Sequence, residues 1–189
     1  MESIIELTEN NFWRDRKFPT ESLNKAADLF QKINGKVIIE IGTGVQGEMS
    51  GNSVLVWGQK TSAKEIYCLD LEQRHVDDVK NATVDFAAVK AIKADGLKFV
   101  KKYKGKIDLL YLDFWVPDKK GDVQGTARAK HYLKAFKLAE KKMNKKSIVL
   151  IDDTDHIDPW KQTFIVPEAR KNGFKVLWCG RQTCLFRDL

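Results

Sequence analysis

The chain has 189 residues, enough to bury one full doubly wound α/β core and most simply read as one domain spanning residues 1–189. No apolar run of about 18 residues occurs, which excludes a membrane-spanning helix. The opening MESIIELTENNFW lacks the basic-then-apolar pattern of a secretory signal, so a cytoplasmic protein is expected. The net charge of +7 arises from 33 basic and 26 acidic residues, with lysines scattered along helical segments and no interleaved aromatics. That reads as a solvated surface ahead of a nucleic-acid face, though it keeps an anionic partner in view.

Residues 1–18 are polar and irregular, with Phe12, Trp13 and Phe18 as anchors; with the following helix they form an N-terminal covering segment, 1–35. Pro19-Thr20-Glu21 opens that helix. Leu23, Ala26, Ala27, Phe30 and Ile33 then form one helical stripe, and Asn34-Gly35 closes it. Val37 to Ile41 is an apolar, β-branched strand carrying a single acid, Glu40, which is expected to face a polar site at the strand's C-terminal edge. Gly42, Gly44 and Gly47 follow at once. By themselves they fit either a ligand-cradling loop or a turn without a ligand.

The next helix is expected over Ser50–Ser62, and the second strand over Glu65–Leu69, ending on Asp70. Gln73–Ala88 reads as a broken helix and Val89–Lys93 as a third strand leading to Ala94-Asp95-Gly96. Leu97–Tyr103 is a short helix and Ile107–Leu112 a fourth strand ending on Asp113. A polar loop, 114–125, leads into a strong helix over Thr126–Met143. Ser147–Ile151 is a fifth strand ending on Asp152-Asp153. A helix over Asp158–Lys171 should be kinked or split by Pro167. The tail reads as an antiparallel hairpin turning at Gly180-Arg181. The three cysteines, Cys68, Cys179 and Cys184, lie in strand-like segments without metal-binding spacing and are expected to be reduced thiols.

Acid therefore recurs along one edge of a parallel sheet: Glu40 within the first strand, then Asp70, Asp95, Asp113 and Asp152-Asp153 at the ends of the next four. Clustered carboxylates raise one another's pKa. A hydroxyl-rich or cationic ligand, or a metal, would offset that cost. For a single residue such as Asp95, capping of the next helix is the competing explanation.

With E-x-G-x-G at Glu40, Gly42 and Gly44 and this series of acids, the chain resembles the class I S-adenosylmethionine (SAM) methyltransferases from about Lys36 to Leu189. The resemblance implies a three-layer α/β/α Rossmann-like fold with a seven-stranded, mostly parallel sheet of order 3-2-1-4-5-7-6 and an antiparallel C-terminal hairpin. It implies that Gly42, Thr43 and Gly44 pass beneath the methionine part of SAM, with Glu40 near its amino group. Asp70 would take the ribose hydroxyls, with Glu72 as a rival. Asp95 would accept from the adenine amino group, with Gly96 or Leu97 donating a backbone N–H. Asp113 would face the methionine ammonium or the methyl acceptor.

LLYLDFW followed by IVLIDDTD is similar to a metal-dependent O-methyltransferase subgroup acting on small-molecule hydroxyls. That implies Mg²⁺ on Asp113, Asp152 and Asp153, hard oxygen ligands suited to the ion. Where the subgroup carries a His or Lys base, this chain has Val116; His156 and Lys119 are the alternative bases. Three other readings compete: an RNA or protein methyltransferase, a non-catalytic SAM-fold binding module, and an NAD(P)-dependent oxidoreductase. The glycine spacing supports the last, but no Tyr-x-x-x-Lys pair is evident.

Overall fold

The computed structural model describes residues 20–45, 52–116, 125–155 and 160–188. Among these, seven strands and six helices alternate: α1 (Thr20–Lys32), β1 (Val37–Ile41), α2 (Ser53–Lys60), β2 (Glu65–Asp70), α3 (Gln73–Ala82), β3 (Val89–Lys93), α4 (Gly96–Lys102), β4 (Ile107–Leu112), α5 (Thr126–Glu140), β5 (Met143–Ile151), α6 (Ile165–Lys171), β6 (Phe174–Trp178) and β7 (Thr183–Asp188). The strands form one sheet in the order β3-β2-β1-β4-β5-β7-β6. The first five run parallel, and β7 is antiparallel to both β5 and β6. The expected Rossmann-like architecture is therefore the observed one.

Strand alternation divides the core between the two faces of the sheet. Ile39, Ile41, Leu110, Leu112, Val149 and Ile151 pack with Tyr132 and Phe136 of α5 and with Ile165 of α6. Ile38, Leu109, Tyr111, Ile148 and Leu150 pack with Leu23, Ala27 and Phe30 of α1 and with Val54 and Trp57 of α2. Each Val, Leu, Ile or Phe among them contributes about 1.5–3 kcal/mol by leaving water. Every residue of β4 is buried, as suits a strand covered by both layers. At its start, Asp108 Oδ2 accepts from the backbone N–H groups of Lys36 (2.8 Å) and Val37 (3.0 Å), fixing where β1 begins.

Several boundaries differ from the sequence reading. The helix expected to Met143 stops at Glu140, and β5 starts at Met143 rather than Ser147. Lys142 is turned aside there: its ammonium donates to the carbonyls of Val100, Lys101 and Tyr103 at 2.5–2.9 Å, closing the C-terminus of α4. α3 ends at Ala82, where the Thr83 hydroxyl donates to the Val79 carbonyl instead of extending the helix. α6 begins only at Ile165, so Pro167 falls in its first turn, where a backbone N–H has no helical partner to lose. The hairpin between β6 and β7 turns through the four residues 179–182 rather than through two. The three cysteines are free thiols. No helix among the described residues is long and apolar enough to cross a membrane.

Candidate functional site

The parallel ladder continues past the strand ends, and this sets the acids in a row. Gly42 N–H donates to Leu69 O, Ala94 to Asp70 O, Asp113 to Ile41 O and Asp152 to Leu112 O, all at 2.8–3.0 Å. The sheet's sequence order reverses between β1 and β4, and in open α/β sheets ligands bind at that switch point. Gly42 lies there with φ +83°, and a Cβ on it would collide with the backbone of Phe114. The glycine is thus required by close chain packing as well as by its backbone angle. A Cβ on Gly96 would likewise strike the Ile41 side chain, so the start of α4 rests directly on the end of β1.

Glu40 shares the face of Ile38 and is fully buried beneath α2, so the polar groups it meets are those of that helix. Ser53 Oγ donates to its Oε1 (3.0 Å) and Trp57 Nε1 to its Oε2 (2.8 Å). Burial raises its pKa to about 7, against the opposing pull of the neighbouring Thr43, Trp57 and Ser53 donors. Thr43 is itself buried, and its hydroxyl closes no hydrogen bond of full geometry among the described residues. Gly44 is half-buried beside it. Gly47 lies outside the described residues.

At β2, Asp70 Oδ1 accepts from Glu72 N–H at 2.8 Å, and His75 Nδ1 stands 3.3 Å away. The other oxygen, Oδ2, makes no hydrogen bond or ion pair among the described residues. Leu71, immediately after it, is 64% exposed. At β3, Asp95 caps α4: its Oδ1 accepts from Lys98 N–H at 3.0 Å, and the Lys98 ammonium lies 3.7 Å from Oδ2. The capping role weighed from sequence is therefore present.

The ends of β4 and β5 are organised by two cations. Lys161 Nζ lies 2.9 Å from Asp153 Oδ2 and 3.4 Å from Asp113 Oδ1, and its side chain is 2% exposed. The same ammonium stands 5.3 Å from the centroid of the Tyr132 ring, on which Phe114 stacks at 4.1 Å. Arg181 pairs with Asp153 Oδ1 through Nη2, and its Nε lies 3.6 Å from Asp152 Oδ1. Asp152 is buried: Oδ1 accepts from Asp153 N–H (2.8 Å) and Oδ2 from the Tyr111 hydroxyl (2.9 Å).

The loop 179–182 is held over this end of the sheet by Thr154. The Thr154 N–H donates to Arg181 O at 2.9 Å and its hydroxyl to Gly180 O at 2.6 Å, while Gln182 Nε2 donates to the Tyr111 hydroxyl at 3.1 Å. The side chain of Asp113 remains 33% exposed. Burial and the facing Asp152 push its carboxyl well above the usual range, with Lys161 opposing them.

Asp113, Asp152 and Asp153 are thus brought together as expected, but not as an open metal site. Both oxygens of Asp152 and of Asp153 are engaged by protein groups, and Lys161 stands on Asp113. Among the described residues, no group of three or more His, Cys, Asp or Glu is arranged to hold a metal ion. The donor set does not fit Mg²⁺, which needs several oxygens free to converge on it. Val116, in the expected position of the base, uses its carbonyl to accept from Arg128 Nε and Nη2 at 3.3 and 3.2 Å. His156 and Lys119 lie outside the described residues.

Lys161, Arg181, Tyr111 and His75 were not singled out by the sequence reading. Lys161 reaches Asp113 across 48 positions, and no local pattern marks it among 33 basic residues.

No protein-family model matches the chain, and no curated protein matches it. Solved structures do. An SAH-bound methyltransferase from Podospora anserina superposes with a TM-score of 0.65 at 17% identity, covering 100% of this chain and 88% of that one. A candidate caffeoyl-CoA O-methyltransferase from Staphylococcus aureus gives 0.63 at 16%, covering 100% and 93%. A candidate rRNA methylase from Clostridium thermocellum gives 0.62 at 13%, covering 88% and 97%. The chain has the Rossmann-like methyltransferase fold. At these identities the likeness speaks for the fold, while the matched proteins act on both small molecules and RNA by their descriptions.

Proposed function

We propose that the chain is a SAM-dependent methyltransferase acting on a small-molecule hydroxyl. One observation carries the cofactor assignment. Near the switch point, beside Gly42, the β2 carboxylate Asp70 keeps Oδ2 free of hydrogen bonds and ion pairs among the described residues, next to the exposed apolar Leu71. A free carboxylate oxygen suits vicinal hydroxyls, and an exposed aliphatic side chain suits the face of a flat base. In this reading Gly42, Thr43 and Gly44 underlie the amino-acid end of the cofactor, Asp70 holds the ribose, and Asp95 and Gly96 border the base. Glu40 acts from below, by fixing α2 against the loop. The cofactor supplies a sulfonium-bound methyl group.

The chain's contribution is to hold the acceptor oxygen in line with that methyl carbon, which is catalysis mainly by position. Asp113 lies at the end of β4, next to the loop, with a third of its side chain open. In the proposed mechanism it accepts a hydrogen bond from the acceptor hydroxyl, steers a lone pair toward the methyl group and takes the departing proton, His156 being the other candidate base. No step is routed through a metal.

Calorimetric titration with S-adenosylhomocysteine (SAH), with NAD(H) as the control, tests the cofactor class. SAH should bind and NAD(H) should not; binding of NAD(H) alone would overturn the reading. Asp70→Ala should weaken SAH about 10- to 100-fold, the effect of removing a hydrogen bond to a charged group. It should leave folding nearly unchanged, because the residue's observed bonds are one turn N–H and one partly exposed histidine. Unchanged affinity would remove Asp70 from the ribose site.

A further inference from the structure

The chemistry at the ends of β4 and β5 differs from a metal-dependent site in a specific way. Three carboxylates converge there, and the positive charge that such a cluster demands is already present in the chain. Lys161 is withdrawn from solvent and placed between Asp113 and Asp153. Arg181 closes Asp153 from the other side and lies along Asp152. Neither cation is a loose surface group. Lys161 stands over the Tyr132 ring, whose hydroxyl donates to Phe114 O at 2.7 Å. Arg181 belongs to a loop tied down by Thr154 and Gln182.

A divalent ion entering here would have to displace a buried ammonium and strip Asp153 of two partners. Buried ion pairs resist that kind of loss, because separating them leaves uncompensated charge.

We propose that Lys161, steadied by the Arg181 loop, takes the place of the metal, so that the site works without a divalent cation. Lys161 is a positioning residue: it is too buried to meet the acceptor and acts through the orientation and charge of Asp113. The inference rests on the methyltransferase reading for its purpose, but not for its test.

The probe is Mn²⁺, a stand-in for Mg²⁺ with the same preference for oxygen ligands. It is titrated into the full chain and followed by the loss of the free-ion paramagnetic resonance signal, with and without SAH. The unaltered chain should leave the signal unchanged up to about millimolar ion. Lys161→Met, which keeps the aliphatic stem and removes the charge, should take up one Mn²⁺ at an affinity at least about tenfold tighter than the unaltered chain. Adding Asp113→Asn to it should abolish that uptake. Lys161→Arg should behave like the unaltered chain, because it restores the charge.

A merely structural lysine would not convert into a metal site on removal. Stoichiometric uptake by the unaltered chain would overturn the proposal, as would a folded Lys161→Met variant that takes up no ion. If Lys161→Met does not fold, the unaltered chain and Lys161→Arg still decide the outcome: uptake by either overturns the proposal, and its absence from both supports it. Failure of SAH to bind would remove the cofactor reading while leaving the Mn²⁺ result intact, so the two are separable.

Discussion

At the ends of β2 and β3, Asp70 and Asp95 each use one oxygen on a backbone N–H, and their other contacts are weak or absent. At the ends of β4 and β5, Asp113, Asp152 and Asp153 are tied to Lys161, Arg181 and Tyr111. The same residue type stands at equivalent places in one sheet and meets opposite surroundings. One half of the edge leaves acceptor capacity for a ligand with hydroxyl and amino donors. The other half neutralises itself and presents one partly open carboxylate, Asp113, held in place. This contrast is the support for the proposal that the cofactor lies on the first half and the acceptor on the second.

The sharpest way to break this contrast is to remove the central cation. Lys161→Met leaves Asp113 facing Asp153, with Arg181 compensating only the latter. Breaking a buried pair costs about 3–5 kcal/mol; the partial exposure of Asp113 and the remaining arginine place this one near about 3 kcal/mol. The matching change on the other half, Lys98→Met beside Asp95, should cost no more than about 0.5 kcal/mol, since both partners are solvated. Urea unfolding of the two variants measures both values, and equal costs would erase the distinction between the halves.

Glu40 tests the boundary between the halves through pH. Its carboxyl has an ordinary value of 4.5 and is raised by burial to about 7. The folded state therefore holds the proton more tightly than the unfolded chain. The contribution is fully present below pH 4.5 and is lost as pH rises through 7, a swing of about 3 kcal/mol. Glu40→Gln keeps an acceptor for Trp57 and an amide for Ser53, and it cannot ionise. Its stability relative to the unaltered chain should climb between pH 4.5 and 7 and then level off. A flat difference across that range would mean that Glu40 stays ionised in the fold.

The parts of this arrangement that were legible in the sequence are those fixed by local pattern. The β-branched runs Val37–Ile41 and Ile107–Leu112 announce buried parallel strands, and an acid at each strand end needs only the chain direction to be placed on one edge. The side-chain period of two also held a further detail for Glu40: it shares a face with Ile38, so the polar site it faces lies under a helix. The cations were not legible. Arg181 depends on how a four-residue turn meets Thr154, and Lys161 on the late start of α6; both are tertiary outcomes. The start of β5 was hidden for the same reason, since the bonds that Lys142 makes just before it go to the end of α4, 39 to 42 positions away in the chain.

The smallest expected effect concerns Asp95, where structural and functional roles can be separated. As the N-cap of α4 it accepts from Lys98 N–H, a bond whose loss typically costs about 1 kcal/mol. Asp95→Asn and Asp95→Ser keep a capping oxygen, so their stability should lie within about 0.5 kcal/mol of the original, while Asp95→Ala should lose the full amount. SAH affinity gives a second axis. If Asp95 borders the adenine as a charged acceptor, Asn and Ser should weaken SAH although α4 stays capped. If the residue is a cap and nothing more, affinity should change only with Ala, and only as far as the helix start loosens. The Asn variant therefore separates the two roles, because it removes the negative charge that the cofactor would meet and keeps the oxygen that the helix requires.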